Sequence, residues 1–270
     1  MIKDFVQLER KMAEMETPPT IVLAGKPDQP SVEALCMAEE RWGVQHILGG
    51  TAQESVDLIK QGRGSVLMKG GIATGDLLKA VVCKENGIGL GGLMSHIAAL
   101  ECQKYHKLMF VTDGGMVPTP DLDQKVEILK NSLGFLRKLG YLMPKVAALT
   151  AVETISPRMS ETTDAQALAE RAKEGEFGPC ILEGPIAFDL AVSAKSARLK
   201  GFDSQISGDT DLFIAPNIAS GNILGKALIY MGGATMAGCV LGATVPIVLV
   251  SRGATAEEKM LSMALALSAQ

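Results

Sequence analysis

Short aliphatic runs alternate with helical patterns from near the start of the chain, and this alternation narrows the possible folds more than any other feature. Residues 4–15 pattern as a polar-faced helix. Residues 21–25 read as a strand closing on Gly25, with a helix over 31–42 behind it. A strand over 44–48 leads to a helix over 53–60. The run 65–68 enters Lys69-Gly70-Gly71 and a helix over 74–84, and a strand over 107–112 stops at Asp113-Gly114-Gly115. Strand–helix repetition of this kind builds an α/β fold, a mostly parallel sheet with helices on its faces.

Val117-Pro118-Thr119-Pro120 interrupts the rhythm and marks the expected domain crossing. Beyond it the pattern gives a helix over 121–139, a strand over 145–150, a helix near 163–173 and a strand over 180–182. A helix over 189–200, a strand over 212–215 and a mainly helical stretch over 218–231 follow. The glycine-rich passage 232–242 then leads to a last strand over 245–250. The expected partition is a first α/β domain of residues 1–120 plus 240–270, with a second α/β domain of 121–239 inserted into it. A chain of 270 residues is long enough for two such domains. A hydrophobic fraction of 47% with only 4% aromatic residues fits an interior of small aliphatic side chains.

Composition also removes whole classes of function. A net charge of −4 argues against nucleic acid as the main partner, so an anionic substrate needs local basic groups. The five cysteines form no CxxC pair, which points away from a disulfide framework or zinc site and toward a reducing cytoplasm. The N-terminus has no signal-peptide core, and no apolar stretch of about 18 residues is present, so a soluble protein without membrane partners is expected. His46, His96 and His106 lack metal-ligand spacing, and no metal site is expected.

The last strand, 245–250, is a β-branched run suited to burial on both faces. It enters Ser251-Arg252-Gly253, and Thr255-Ala256-Glu257-Glu258 then opens a helix with the capping-box pattern. Ligands collect where buried strands of an α/β sheet end, helix N-termini favour anions, and a guanidinium offers a planar donor fork. Arg252 reads as an anion contact or as a solvated side chain, and Glu258 as a functional carboxylate or as the cap itself. Lys69 and Gly70, with Thr74, sit at another strand end, and Asp113-Gly114 at a neighbouring one; each is a phosphate cradle or a turn that needs glycine. Asn222 with Lys226 one turn later places an amide and an ammonium together, near a phosphate or at an ordinary helix start.

Two apparent nucleotide motifs fail on context. Residues 220–227 lack the glycine at Ser220 and the hydroxyl at Ala227 that a P-loop needs, and 87–92 (Gly87-Ile88-Gly89-Leu90-Gly91-Gly92) follows a helical pattern instead of a strand. Ser95-His96 reads as a packing or capping pair.

Several segments together resemble the phosphate acetyl/butyryltransferase family: Leu67-Met68-Lys69-Gly70-Gly71 with Thr74, Leu93-Met94-Ser95-His96, Val111-Thr112-Asp113-Gly114 and Pro144-Lys145-Val146-Ala147 with Glu153. Gly184-Pro185 through Asp189, Ala219-Ser220-Gly221-Asn222 with Lys226, and Pro246 through Arg252 complete the set, in order from about residue 66 onward. The Met68-Lys69-Gly70-Gly71 and Ser251-Arg252-Gly253-Ala254 contexts look more like the butyryl or branched-chain branch. The resemblance implies an isocitrate/isopropylmalate dehydrogenase-like pair of α/β domains with the active site in a cleft between them, and a homodimer. It implies reversible transfer of an acyl group between coenzyme A and inorganic phosphate, both as substrates, with no tightly bound cofactor. Ser251 and Arg252 fall on the family's catalytic Ser-Arg pair. Glu258 falls where acetyl-specific members place an aspartate thought to act as base on the thiol. Lys69, Gly70, Thr74, Asp113, Asn222 and Lys226 are the expected substrate-binding residues. The competing expectations are an acetyl-specific enzyme, a non-catalytic acyl-CoA-binding protein and, on residues 87–92 alone, a nicotinamide dehydrogenase.

Overall fold

A computed structural model describes residues 1–251 and 253–269; Arg252 and Gln270 lie outside the described residues. The chain forms two compact units, Ile2–Met94 with Thr235–Gln270, and Ser95–Ala234.

The first unit opens with α1 (Phe5–Ala13), β1 (Thr20–Ala24), α2 (Gln29–Trp42), β2 (Gln45–Gly50), α3 (Ala52–Lys60), β3 (Val66–Lys69) and α4 (Thr74–Val81). Local chemistry sets these boundaries. Asp28 caps α2 and Pro30 sits in its first turn, and Gly43 ends it at φ 67°, where a glycine costs least. Thr51 and Glu54 form a reciprocal capping box on α3. The second unit contains β4 (Ser95–Glu101), β5 (Met109–Thr112), α5 (Leu122–Lys138), β6 (Lys145–Leu149), α6 (Ser160–Lys173), β7 (Ile181–Ile186), α7 (Phe188–Val192), α8 (Ala194–Lys200), β8 (Leu212–Ile214) and α9 (Ile218–Tyr230). The chain then returns to the first unit with β9 (Thr235–Leu241), β10 (Ile247–Val248) and α10 (Ala256–Leu267).

In the first unit the strand order is β2-β1-β3-β10-β9, parallel except that β9 runs antiparallel to β10. In the second it is β4-β5-β8-β6-β7, parallel except for β4 against β5. The expected mostly parallel α/β architecture is therefore present, with one antiparallel strand added to each unit.

Those two strands, β4 and β9, have no counterpart in the sequence reading. Ser95-His96-Ile97-Ala98-Ala99-Leu100-Glu101 is rich in alanine, and Gly238 breaks the β9 run, so neither carries the β-branched signature. Their positions also move the boundary away from Pro120. Phe110 pairs with Leu212 and Val111 with Phe213, which ties β5 to the second unit, while Val240 of β9 pairs with Ile247 of the first. The crossings lie at 94/95 and 234/235 instead of 120/121 and 239/240, because strand pairing outweighs a local proline break. The last strand is also shorter than expected, two paired residues instead of 245–250; Pro246 has no N–H to give to a ladder. The helix expected over 189–200 is split in two at Ser193.

α10 is buried continuously from Lys259 to Leu267 and packs on β9, α2 and α1. A helix apolar on nearly every side belongs in an interior. Full burial of each Leu or Met here contributes about 1.5–3 kcal/mol, which fixes the helix that follows Ser251. No helix among the described residues is long and apolar enough to cross a membrane.

Candidate active site

In the first unit, β1, β3 and β10 are parallel, so their carboxyl ends open on one edge. Lys69 is the last residue of β3, and Ser251 follows the neighbouring β10 by three residues. The part-buried Lys69 ammonium donates to the Gly70 carbonyl at 3.2 Å. Gly70 donates to the Ala24 carbonyl at 2.9 Å and Gly71 to the Lys26 carbonyl at 2.7 Å. A Cβ on Gly70 would sit 2.9 Å from the Lys26 oxygen, and one on Gly71 2.8 Å from it. Both positions need glycine because two backbones meet there. Thr74 is exposed at the first position of α4, whose N-terminus has no side-chain cap.

Ser251 is exposed; its Oγ accepts the Gly253 N–H at 3.4 Å and its carbonyl accepts the Ala254 N–H at 3.1 Å, a turn that delivers the chain into α10. Arg252, expected to hold the anion, is outside the described residues. Glu258 is a helix cap: its Oε2 accepts the Thr255 N–H at 2.8 Å, and its own N–H donates to Thr255 Oγ1 at 3.1 Å. The next residue went unnoticed in the sequence. Lys259 is buried and donates to Asp28 at 3.1 Å and to Ser31 Oγ at 2.8 Å, tying α10 to the start of α2. Desolvation raises the Asp28 pKa, but the hydrogen bonds from Ser31 and Lys259 outweigh it and hold the carboxyl below its usual range. No local signal marks it, because Lys259 follows Glu257 and Glu258 and reads as one more charge in the first turn of the helix.

In the second unit the carboxyl ends of β5, β8, β6 and β7 share an edge. Asp113 leaves β5 with its carboxylate buried and saturated: Oδ2 accepts the His96 N–H at 2.8 Å, and Oδ1 accepts those of Gly115 and Met116 at 2.7 Å each. It shapes the 113–116 loop through three charge-assisted bonds. The loop lies against the N-terminus of α9. A Cβ on Gly114 would meet Gly221 C at 2.9 Å and Asn222 N at 3.1 Å. Asn222 donates its side-chain amide to the Gly114 carbonyl at 3.0 Å. Lys226, exposed and four residues further on, shares that helix face. Asp113, Gly114, Asn222 and Lys226 thus form one cluster, while Lys69, Gly70, Ser251 and Glu258 belong to the carboxyl edge of the other unit.

A cavity of about 800 Å³ opens on the opposite flank of α9, lined by Asn217, Ser220 and Leu224 of that helix, with Phe188 and the Lys125–Asp164 ion pair (2.6 Å) on other walls. Sequence reading missed it because no motif marks a space lined by the starts of four helices, α5, α6, α7 and α9. Among the described residues no group of three or more His, Cys, Asp or Glu is placed to hold a metal ion.

Residues 40–267 match the family described as phosphate acetyl/butaryl transferase. The chain belongs to that family. As a member of the phosphate acetyl/butaryl transferases it is an enzyme, an acyltransferase. It is 38% identical over 246 residues to the probable phosphate butyryltransferase of Bacillus subtilis, an alignment covering 90% of this chain and 82% of that one. It is 38% identical over 215 residues to the phosphate butyryltransferase of Clostridium acetobutylicum, covering 80% and 71%. Among solved structures, the branched-chain phosphotransacylase from Enterococcus faecalis superposes with a TM-score of 0.83 at 29% identity, over 93% of this chain and 98% of that one. All nine site residues named above fall inside the matched segment of this phosphate acyltransferase.

Proposed function

We propose that this phosphate acyltransferase interconverts a butyryl or branched-chain acyl-CoA plus inorganic phosphate with acyl phosphate plus coenzyme A. The observation that carries the choice of acyl group is the likeness to proteins named phosphate butyryltransferase and branched-chain phosphotransacylase across most of the chain. The family's acetyl-transferring reaction, with the same chemistry and a smaller acyl group, is the alternative.

Phosphate attacks the thioester carbonyl, so the protein has to hold two anionic reactants and stabilise a tetrahedral oxyanion. Arg252, with Lys69 or Lys226, binds phosphate. Ser251 donates a hydrogen bond to the developing oxyanion. Glu258 protonates the departing thiolate and accepts the thiol proton in reverse. Its Oε2 carries the bond from the Thr255 N–H, and Oε1 is the oxygen left for this task. Thr74, Gly70, Asn222 and the Asp113 loop orient the substrates. No tightly bound cofactor and no covalent acyl-enzyme enter the proposal. A dehydrogenase-like arrangement of two domains, a cytoplasmic setting and a homodimer belong to the same proposal. Exposed Ile223, Tyr230 and Met231, on and just after α9, support a second copy covering that helix.

The test is thiol release from acetyl-, butyryl- and isobutyryl-CoA with and without phosphate, in the wild type, Arg252→Ala and Glu258→Gln. Phosphate-dependent release fastest on the four-carbon substrates is expected. Arg252→Ala should lose about 3 kcal/mol of transition-state stabilisation, roughly a hundredfold. Glu258→Gln keeps a capping side chain and should lose rate with little change in Tm. A folded Arg252→Ala within a few-fold of wild type removes the role given to that residue.

A further inference from the structure

His96 is left over from the chemistry above, yet its surroundings are unusual for a packing residue. The β4–β5 register (Ala98 with Val111, Ala99 with Phe110) puts it directly across from Asp113. Its backbone is clamped at both ends: the N–H donates to Asp113 Oδ2 at 2.8 Å, and the carbonyl accepts Thr112 Oγ1–H at 2.8 Å. The ring lies under Gly115, where an added Cβ would meet His96 Cγ at 2.9 Å. It is thus locked against the loop whose Gly114 carbonyl holds Asn222.

Within that clamp, Nδ1 is buried and has no hydrogen-bond partner. Residue 96 as a whole is only part-buried, and Nε2, unlike Nδ1, is not among the enclosed atoms left without a partner. A proton on an enclosed Nδ1 would be an orphaned donor, costing about 1–3 kcal/mol. The favoured tautomer leaves Nδ1 bare and puts the hydrogen on Nε2. Burial lowers the imidazole pKa, and the Asp113 charge only partly opposes this, so the ring is neutral. A neutral imidazole with a fixed Nε2–H is a hydrogen-bond donor that does not compete for the proton it offers.

We infer that His96 is a phosphate-binding residue of this enzyme, its neutral Nε2–H donating to a phosphate oxygen held between the 113–116 loop and the Asn222–Lys226 face of α9. The inference rests on the acyl-transfer reading for its substrate. The anion, and not the acyl chain, is assigned to this place because the loop that covers the ring also holds Asn222, and Lys226 follows one turn later on the same face of α9.

Two measurements test it. Steady-state kinetics compare His96→Asn, whose amide reaches only the Nδ1 position, with His96→Gln, whose amide reaches the Nε2 position. His96→Asn should raise the KM for phosphate at least tenfold with the KM for acyl-CoA unchanged, and His96→Gln should recover most of that loss. An unchanged phosphate KM in folded His96→Asn, or an equal rise in both KM values, overturns the assignment. Independently of turnover, 15N NMR of the wild type resolves three histidines, His46, His96 and His106. The His96 ring should show the Nε2–H tautomer, and titration with inorganic phosphate should shift that resonance. A Nδ1–H tautomer, or a resonance that phosphate leaves in place, overturns it. Wild type that releases no thiol from any acyl-CoA defeats the acyl-transfer reading, and the phosphate titration still decides the histidine.

Discussion

Replacing Asp113 by asparagine separates an anchoring carboxylate from a substrate-binding one. The aspartate accepts three backbone N–H bonds of 2.7–2.8 Å while almost fully buried. Asparagine offers one acceptor oxygen. If that oxygen keeps Gly115 and Met116, the amide NH2 faces the His96 N–H, leaving a buried donor unpaired at about 1–3 kcal/mol. The two surviving bonds also lose their charge assistance, worth roughly 0.5–1 kcal/mol each. Relief from burying a charge offsets part of this. The net expectation is a loss of about 2–4 kcal/mol, or a Tm lower by on the order of 10 °C. Urea and thermal unfolding followed by far-UV circular dichroism measure it, with the phosphate KM determined in parallel. Asp113→Asn unfolding within about 0.5 kcal/mol of wild type, with the phosphate KM raised tenfold, would show that the carboxylate meets substrate and that the anchoring argument is wrong.

Gly114→Ala forces a methyl into the backbone of Gly221 and Asn222, so α9 has to move away from the loop. A loss of about 1–3 kcal/mol is expected, together with a higher phosphate KM, and wild-type values for both would refute the close approach. At the opposite ends of β5, β6 and β8, Asp209 is bonded by Lys107, Lys145 and His106, and Lys107 also pairs with Asp211 at 2.5 Å. Desolvation pushes the Asp209 pKa up, but those bonds outweigh it and hold the carboxyl well below its usual 3.8. A depressed folded pKa means the unfolded chain takes up protons first, so the stabilisation is intact above about pH 5 and is lost as pH falls through 4 and below. Urea midpoints between pH 3 and 7 should show this fall, and Asp209→Asn should flatten it; an equally steep acid limb in the variant would refute the assignment.

Much of this protein was legible because its information is local. Strand–helix periodicity, the Thr255–Glu258 capping box and the glycines closing β1 and β3 depend on neighbours within about four residues. They established the α/β class, the edge on which Lys69 and Ser251 lie, and the Asn222–Lys226 face. The family resemblance rested on the same ordered motifs.

What sequence left open depended on partners far along the chain. β4 and β9 are strands because β5 and β10 offer them hydrogen bonds, since their own alanine- and glycine-bearing runs have little preference for extended backbone. Lys259 is an interior residue only because Asp28 and Ser31, more than 200 positions away, arrive beside it. Asp113 carries no label separating a ligand group from a loop anchor; the opposed register of β4 and β5, which brings the His96 N–H to its carboxylate, decides that. Propensities and caps act over a turn or two, whereas pairing and burial are set by contacts that exist only once the chain has closed on itself.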